Sequence, residues 1–139
     1  MPPIVQIQVQ RAEGDCAIVA LSMYLGIGYE DVLAAAVKVT GRRAHHSGLF
    51  TRDMKAAAKR LGTPLILKRV FDLDSACGVL ALRRTTTQGE KHQEEHAVLL
   101  RAGLVFDTDG TVWELETFLA HYEYRVLSLL VKADGDEES

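Results

Sequence analysis

The chain has only two cysteines, Cys16 and Cys77, among its 139 residues. A disulfide framework needs more cysteines and an oxidising compartment, so both are predicted to be free thiols. The basic residues are scattered and the formal net charge is −3, which argues against a nucleic-acid partner. No apolar run reaches the length of a membrane span, and the first residues lack the pattern of a signal peptide. We therefore expect a cytoplasmic protein without a membrane segment.

Metal-binding patterns and internal repeats are also missing. The sequence has neither a CxxC pair nor an HExxH helix. A zinc site that joins a cysteine to His45, His46 or His92 is therefore the disfavoured alternative, and we predict no metal and no other cofactor. Hydrophobic content of 47% and charged content of 25% are typical of a globular protein. We predict one domain over residues 1–133 and an acidic disordered tail over residues 134–139.

Apolar periodicity divides the chain into a helical first part and a strand-rich second part. Helical spacing predicts three helices, which begin near Asp15, Tyr29 and Thr51 and end at Gly26, Gly41 and Gly62. Short apolar runs predict strands at residues 65–67, 79–82, 96–100, 104–106 and 124–131, and near-alternation with glutamine predicts another at residues 4–10. A capping-box pattern from Thr111 to Glu114 predicts a further helix over residues 111–122, while residues 42–49 and 85–95 are predicted loops. N-terminal helices packed on a C-terminal antiparallel sheet make an α+β domain.

Cys16 lies where a polar turn meets the first predicted helix. Asp15 occupies the N-cap position, which puts Cys16 in the first helical turn. There the unpaired backbone N–H groups and the positive end of the helix dipole favour an anion, and hence a thiolate nucleophile. Position alone leaves a second interpretation open, in which Cys16 is a small packing residue.

A nucleophilic thiolate needs a base, a group that orients the base, and donors for the oxyanion. His96 opens an apolar strand directly after a polar loop, where an imidazole can face a cleft. Asp107 ends the next strand of a predicted hairpin, so we expect it to lie near His96 and to fix the imidazole. Gln10, six residues before Cys16, is the candidate side-chain donor of an oxyanion hole.

The stretch from Gln10 to Cys16, continued by residues 20–25, resembles the opening of the bacteriocin-processing, double-glycine leader peptidases. These belong to the papain-like cysteine peptidase superfamily. The similarity covers most of residues 4–131, because His96 and Asp107 also follow in the family's order and rough spacing. It implies a papain-like fold and a catalytic triad of Cys16, His96 and Asp107, with Gln10 in the oxyanion hole.

The chain departs from this family at two positions. Ala17 follows the cysteine where the family has glycine, and Thr108 follows Asp107 where the family has proline. Asp109 is therefore a rival for the third catalytic role.

Three function classes follow from these residues. The first is a cysteine peptidase, or thiol protease, that cleaves a peptide bond through a thioester on Cys16. The second is another thiol acyl-transfer enzyme, such as an amidase, a deamidase or a transglutaminase-like protein. The third is a catalytically idle papain-like binding module of phage or bacterial origin. The expected partner is a peptide or protein substrate, whose identity the sequence leaves open together with the oligomeric state.

Overall fold

The structure, a computed structural model, describes residues 5–9, 15–41, 51–84 and 95–133. Gln10, the predicted loop at residues 42–49, the tail at residues 134–139 and all of the predicted loop at residues 85–95 except Glu95 lie outside the described residues. So do His45, His46 and His92.

Within the described residues, three helices precede a six-stranded antiparallel sheet, and a fourth helix is inserted before the last strand. The helices are α1 (Cys16–Leu25), α2 (Tyr29–Thr40), α3 (Thr51–Arg60) and α4 (Leu115–Tyr122). The strands are β1 (Leu65–Lys68), β2 (Cys77–Arg84), β3 (Glu95–Arg101), β4 (Leu104–Phe106), β5 (Val112–Glu114) and β6 (Tyr124–Lys132). Their order in the sheet is β1-β6-β2-β3-β4-β5. The predicted α+β class is confirmed.

Alternate residues of the central strands face two separate apolar clusters, as the two-residue repeat of a strand requires. Val79, Leu99 and Leu130 pack with α1, α2 and α3 on one face of the sheet. Leu80, Leu100 and Leu129 pack on the other face with Phe118 of α4. The molecule therefore has three layers, with the sheet in the middle.

Helix α1 is the most enclosed helix of the first layer. All residues from Ala17 to Met23 are buried. The helix is therefore buried on every side, whereas the sequence predicted a single apolar stripe. The helix ends at Gly26, whose φ of 69° is left-handed and whose N–H donates to the carbonyl of Ser22. The close packing on every side of α1 fixes the backbone at its first residue, Cys16.

The β3–β4 hairpin closes as predicted. Ala102 and Gly103 are its two loop residues, and both have positive φ, 50° and 84°. Two such residues form the tight turn whose twist matches that of the flanking strands. The register pairs Leu99 with Phe106, which brings the residue after β4, Asp107, back toward the start of β3.

Two local predictions are wrong. Residues 5–9 form no strand; Val5 packs against the core cluster around α1, but Ile7 and Val9 are about half exposed at 49% and 50%. The capping box is also wrong, because residues 112–114 form β5 and pair with β4. The Thr111 hydroxyl donates to the Asp109 carboxylate instead of capping a helix, and α4 begins only at Leu115.

Among the described residues, no single helix is long and apolar enough to cross a membrane. Helices α1 and α2 reach that length and composition only when taken together, and the chain bends by 120° between them.

Candidate active site

The nucleophile side of the site is built by the first turns of α1 and α2. Helix α1 begins at Cys16, as predicted, and the Val19 N–H donates to the Asp15 carbonyl at 3.0 Å. The Asp15 side chain does not cap the described first turn. It is fully buried and accepts a 2.7 Å hydrogen bond from the Tyr29 hydroxyl at the start of α2. Asp15 thus joins the two helix starts directly before Cys16.

The base side of the site lies at the start of β3 and the end of β4. His96 Nε2 donates to Asp107 Oδ1 at 2.8 Å, and the two side chains are only 16% and 9% exposed. The Thr108 N–H donates to the same carboxylate oxygen at 2.7 Å. The predicted closeness of His96 and Asp107 is confirmed, and the backbone donor holds the carboxylate in place.

His96 also meets the nucleophile. The Cys16 side chain lies close enough to the His96 ring to help raise the pKa of the imidazole. Because Nε2 is engaged by Asp107, Nδ1 is the ring nitrogen left for the sulfur. The structure therefore brings Cys16, His96 and Asp107 together, with His96 adjacent to both of the other side chains.

The protonation of His96 follows from these neighbours. Burial by itself lowers the pKa of His96, but the hydrogen bonds and negative charges of Asp107 and Cys16 raise this pKa to about 9. The ring is then an imidazolium at neutral pH. A cation beside a sulfur at the start of a helix favours the thiolate, which is the nucleophilic form of cysteine.

Stacked aromatic rings hold the imidazole plane. Tyr124, the first residue of β6, stacks on His96 with a centroid distance of 5.7 Å and an interplanar angle of 15°. Phe118 stacks on Tyr124 in turn, at 5.6 Å and 28°. Sequence reasoning missed both Tyr124 and Tyr29 as site residues, because neither belongs to a catalytic motif and their contacts depend on the packing of distant elements.

The sequence left open whether Asp107 or Asp109 pairs with His96, and Asp109 is not the partner. Its Oδ1 accepts the Thr111 N–H at 3.0 Å and the Thr111 hydroxyl, whereas Asp107 binds His96. Asp109 is exposed and lines a cavity of about 220 Å³ beside the imidazole, together with His96, Asp107, Thr108, Tyr122 and Tyr124.

Cys77 lies far along the sheet from Cys16. It begins β2 and pairs with Arg101, at the opposite end of β3 from His96. Both cysteines are free, as predicted, and both are half-buried. Burial raises the pKa of the Cys77 thiol, and the charges of Arg101 and Lys132 offset this only in part. The surroundings of Cys77 therefore make its thiol less reactive than an ordinary exposed thiol.

In the part of the chain that the structure describes, no group of three or more His, Cys, Asp or Glu side chains is arranged to hold a metal ion.

Comparison with known sequences gives no further assignment. No model of a protein family matches this chain, and no curated protein matches it either.

Proposed function

We propose that this protein is a papain-like thiol hydrolase, a cysteine peptidase that cleaves a peptide bond through a thioester on Cys16. The observation that carries the proposal is the position of His96 between the Cys16 side chain and the Asp107 carboxylate. A nucleophile, a base and an orienting acid in hydrogen-bonded sequence are the arrangement that acyl-transfer enzymes of unrelated folds have in common.

The proposed reaction begins from an ion pair of the Cys16 thiolate and the His96 imidazolium. The thiolate attacks the carbonyl carbon of the scissile bond, and His96 gives its proton to the leaving amine as the C–N bond breaks. The acyl group is then held on sulfur as a thioester. Water attacks this thioester and gives a proton to His96, and the C–S bond breaks to release the carboxylic acid and restore the ion pair.

The surroundings of each group support its proposed role. The first turn of α1 has backbone N–H groups that lack partners within the helix, and the N–H of Cys16 is one of them. This group and Gln10 are the proposed oxyanion donors. Asp107 holds the imidazole through Nε2, which leaves Nδ1 for the sulfur.

The layers of the molecule support the finer proposal of a papain-like fold. A buried helix carries the cysteine at its start, and an antiparallel sheet carries the histidine and the aspartate. The cytoplasm is the proposed location, and the two free thiols agree with a reducing compartment.

The test is a peptide library incubated with the protein and analysed by mass spectrometry, with an electrophilic peptide epoxide as a thiol probe. We expect cleavage that Cys16→Ala abolishes and Cys77→Ala retains, and probe attachment at Cys16 that His96→Ala reduces. Cleavage that survives Cys16→Ala would refute the proposal. Acyl transfer to an added amine without hydrolysis would identify a transferase, and probe attachment without any turnover would identify an idle binding module.

A further inference from the structure

The cavity beside His96 adjoins the residue that protonates the leaving amine in the proposed reaction. Its lining contains His96 and Asp107 but not Cys16. In the proposed reaction the acyl group stays on Cys16, while the leaving amine must reach His96 to receive its proton. The cavity therefore borders the residue that the leaving group must reach.

The size of the cavity limits what it can hold. About 220 Å³ is smaller than the pockets that enclose whole drug-sized ligands. It is sufficient for one long side chain. A substrate residue next to the scissile bond is thus a better match than a complete small molecule.

The walls of the cavity are aromatic. The rings of Tyr122 and Tyr124 lie 5.9 Å apart at an angle of 39°, and Tyr124 stacks on His96. Aromatic faces attract cations, and they accept the flat guanidinium group of arginine best.

The charge of the cavity also favours a cation. Asp107 and Asp109 each contribute a negative charge, and His96 contributes one positive charge, so the ionised groups sum to −1. Partial burial and the charges of Asp107 and Asp109 raise the pKa of the Tyr122 phenol. Thr111 holds Oδ1 of Asp109, which fixes the orientation of that carboxylate at the exposed rim.

We propose that this cavity binds the first substrate residue on the leaving-group side of the scissile bond and selects a lysine or arginine side chain there. The inference rests on the proposed function, since it assigns a specificity to the same site. The cationic head pairs with Asp109, and its stem packs on Tyr122 and on the edge of Tyr124, whose ring already stacks on His96 and Phe118.

The test uses peptides that differ only in the residue after the scissile bond, which is arginine, lysine, norleucine or glutamate. We expect kcat/KM to be highest for arginine and lysine and lowest for glutamate. Asp109→Asn should lower the arginine-to-norleucine ratio by up to about fivefold, the upper end of what an exposed ion pair contributes. Asp74→Asn is the charge-matched control, because Asp74 lies beside the Gly103 turn at the other end of β3. It should leave the ratio at the wild-type value.

Two outcomes separate this inference from the proposed function. If the wild type cleaves all four peptides equally, or if Asp109→Asn leaves the arginine preference intact, the subsite assignment is wrong and the peptidase stands. If no peptide is cut and labelling of Cys16 by iodoacetamide ignores His96→Ala, both proposals fall.

A binding measurement adds a readout that needs no turnover. Agmatine carries a guanidinium on a short chain, and we expect it to shift the NMR signals of the His96 ring in the wild type. The affinity should fall in Asp109→Asn and persist in Asp74→Asn. Shifts of equal size with a neutral alcohol of the same length would overturn the assignment of a cation subsite.

Discussion

The proposed nucleophile, Cys16, and its proposed base, His96, are held by two different kinds of packing. The cluster around α1, on one face of the sheet, contains seven buried alanines, Ala17, Ala20, Ala35, Ala36, Ala57, Ala58 and Ala97. The cluster on the opposite face has a single buried alanine, Ala76, and is built around Phe118 with Trp113, Tyr122 and Tyr124 at its margin. Small side chains surround the cysteine helix, whereas the histidine stacks on Tyr124 at the margin of an aromatic cluster.

The difference matches the different tasks of the two groups in the proposed reaction. There the nucleophile must be placed accurately, and Cys16 belongs to a helix whose next seven residues are all buried. The base must exchange protons with a substrate and with water, and the His96 imidazole keeps 16% of its surface exposed. Flat stacking on Tyr124 fixes the ring plane while an edge of the ring stays accessible. Close packing positions the nucleophile, and stacking positions the base.

The largest expected effect comes from breaking the base side. His96→Ala should lower the rate of peptide cleavage by about a thousandfold or more, because the residue that transfers every proton is lost. Asp107→Ala should be milder by about tenfold, because the imidazole remains and loses only its orienting partner. Steady-state kcat of the two variants measures this. A greater loss in Asp109→Ala than in Asp107→Ala would show that the wrong carboxylate has been assigned.

A smaller effect is expected for the pKa of His96, which reports how strongly His96 and Cys16 interact. The pKa of His96 should be about 9 in the wild type, as NMR titration of the ring nitrogens would report. It should fall in Asp107→Asn, which removes a charge and weakens a hydrogen bond, and also in Cys16→Ala, which removes the sulfur partner. Above this pKa the ring is neutral, so the cation next to Cys16 disappears as the pH rises through it. A pKa that ignores Cys16→Ala would mean that the two sides do not interact.

The smallest expected effect comes from loosening the nucleophile side. Tyr29→Phe removes the hydroxyl that donates to the buried Asp15 carboxylate, and the free energy of unfolding should fall by about 1–3 kcal/mol. The rate of Cys16 alkylation should change as well, because Asp15 directly precedes Cys16. Denaturant unfolding and mass spectrometry of labelled peptides measure the two effects.

Tyr24→Phe is the matched control for this variant. It removes a tyrosine hydroxyl from the other end of the cysteine helix, where the hydroxyl accepts the Lys132 N–H at 2.8 Å. It should reduce stability without changing Cys16 alkylation. If Tyr29→Phe and Tyr24→Phe changed Cys16 reactivity equally, the contact between Asp15 and Tyr29 would contribute only to folding stability and would have no specific effect on Cys16.

The sequence predicts the elements of this fold wherever local signals agree. Gly26, Gly41 and Gly62 follow the three N-terminal helices as expected, and all three have positive φ. Local signals fail at residues 111–114, which satisfy a capping box and a short strand equally well. Pairing with β4 decides between them, and that contact is invisible in a local pattern.

The candidate site shows the same division. The His96 and Asp107 pair could be predicted because one short hairpin sets its register. The bond between Asp15 and Tyr29 depends on how α2 turns back on α1, and the stack of Tyr124 on His96 depends on the last strand entering the sheet beside β2. Residues joined by such distant packing carry no motif of their own.

The most direct test of the central claim is the pH dependence of Cys16 alkylation by iodoacetamide. If His96 holds a cation beside the sulfur, Cys16 should react at about pH 6, where an ordinary thiol with a pKa of about 8.5 is almost wholly protonated. Cys77 is the internal control, because burial raises the pKa of its thiol and it should stay unmodified. His96→Ala should move the profile of Cys16 toward that of an ordinary thiol and leave Cys77 unchanged. Reaction of Cys16 no faster than Cys77 below neutral pH, or a Cys16 profile that ignores His96→Ala, would contradict the account.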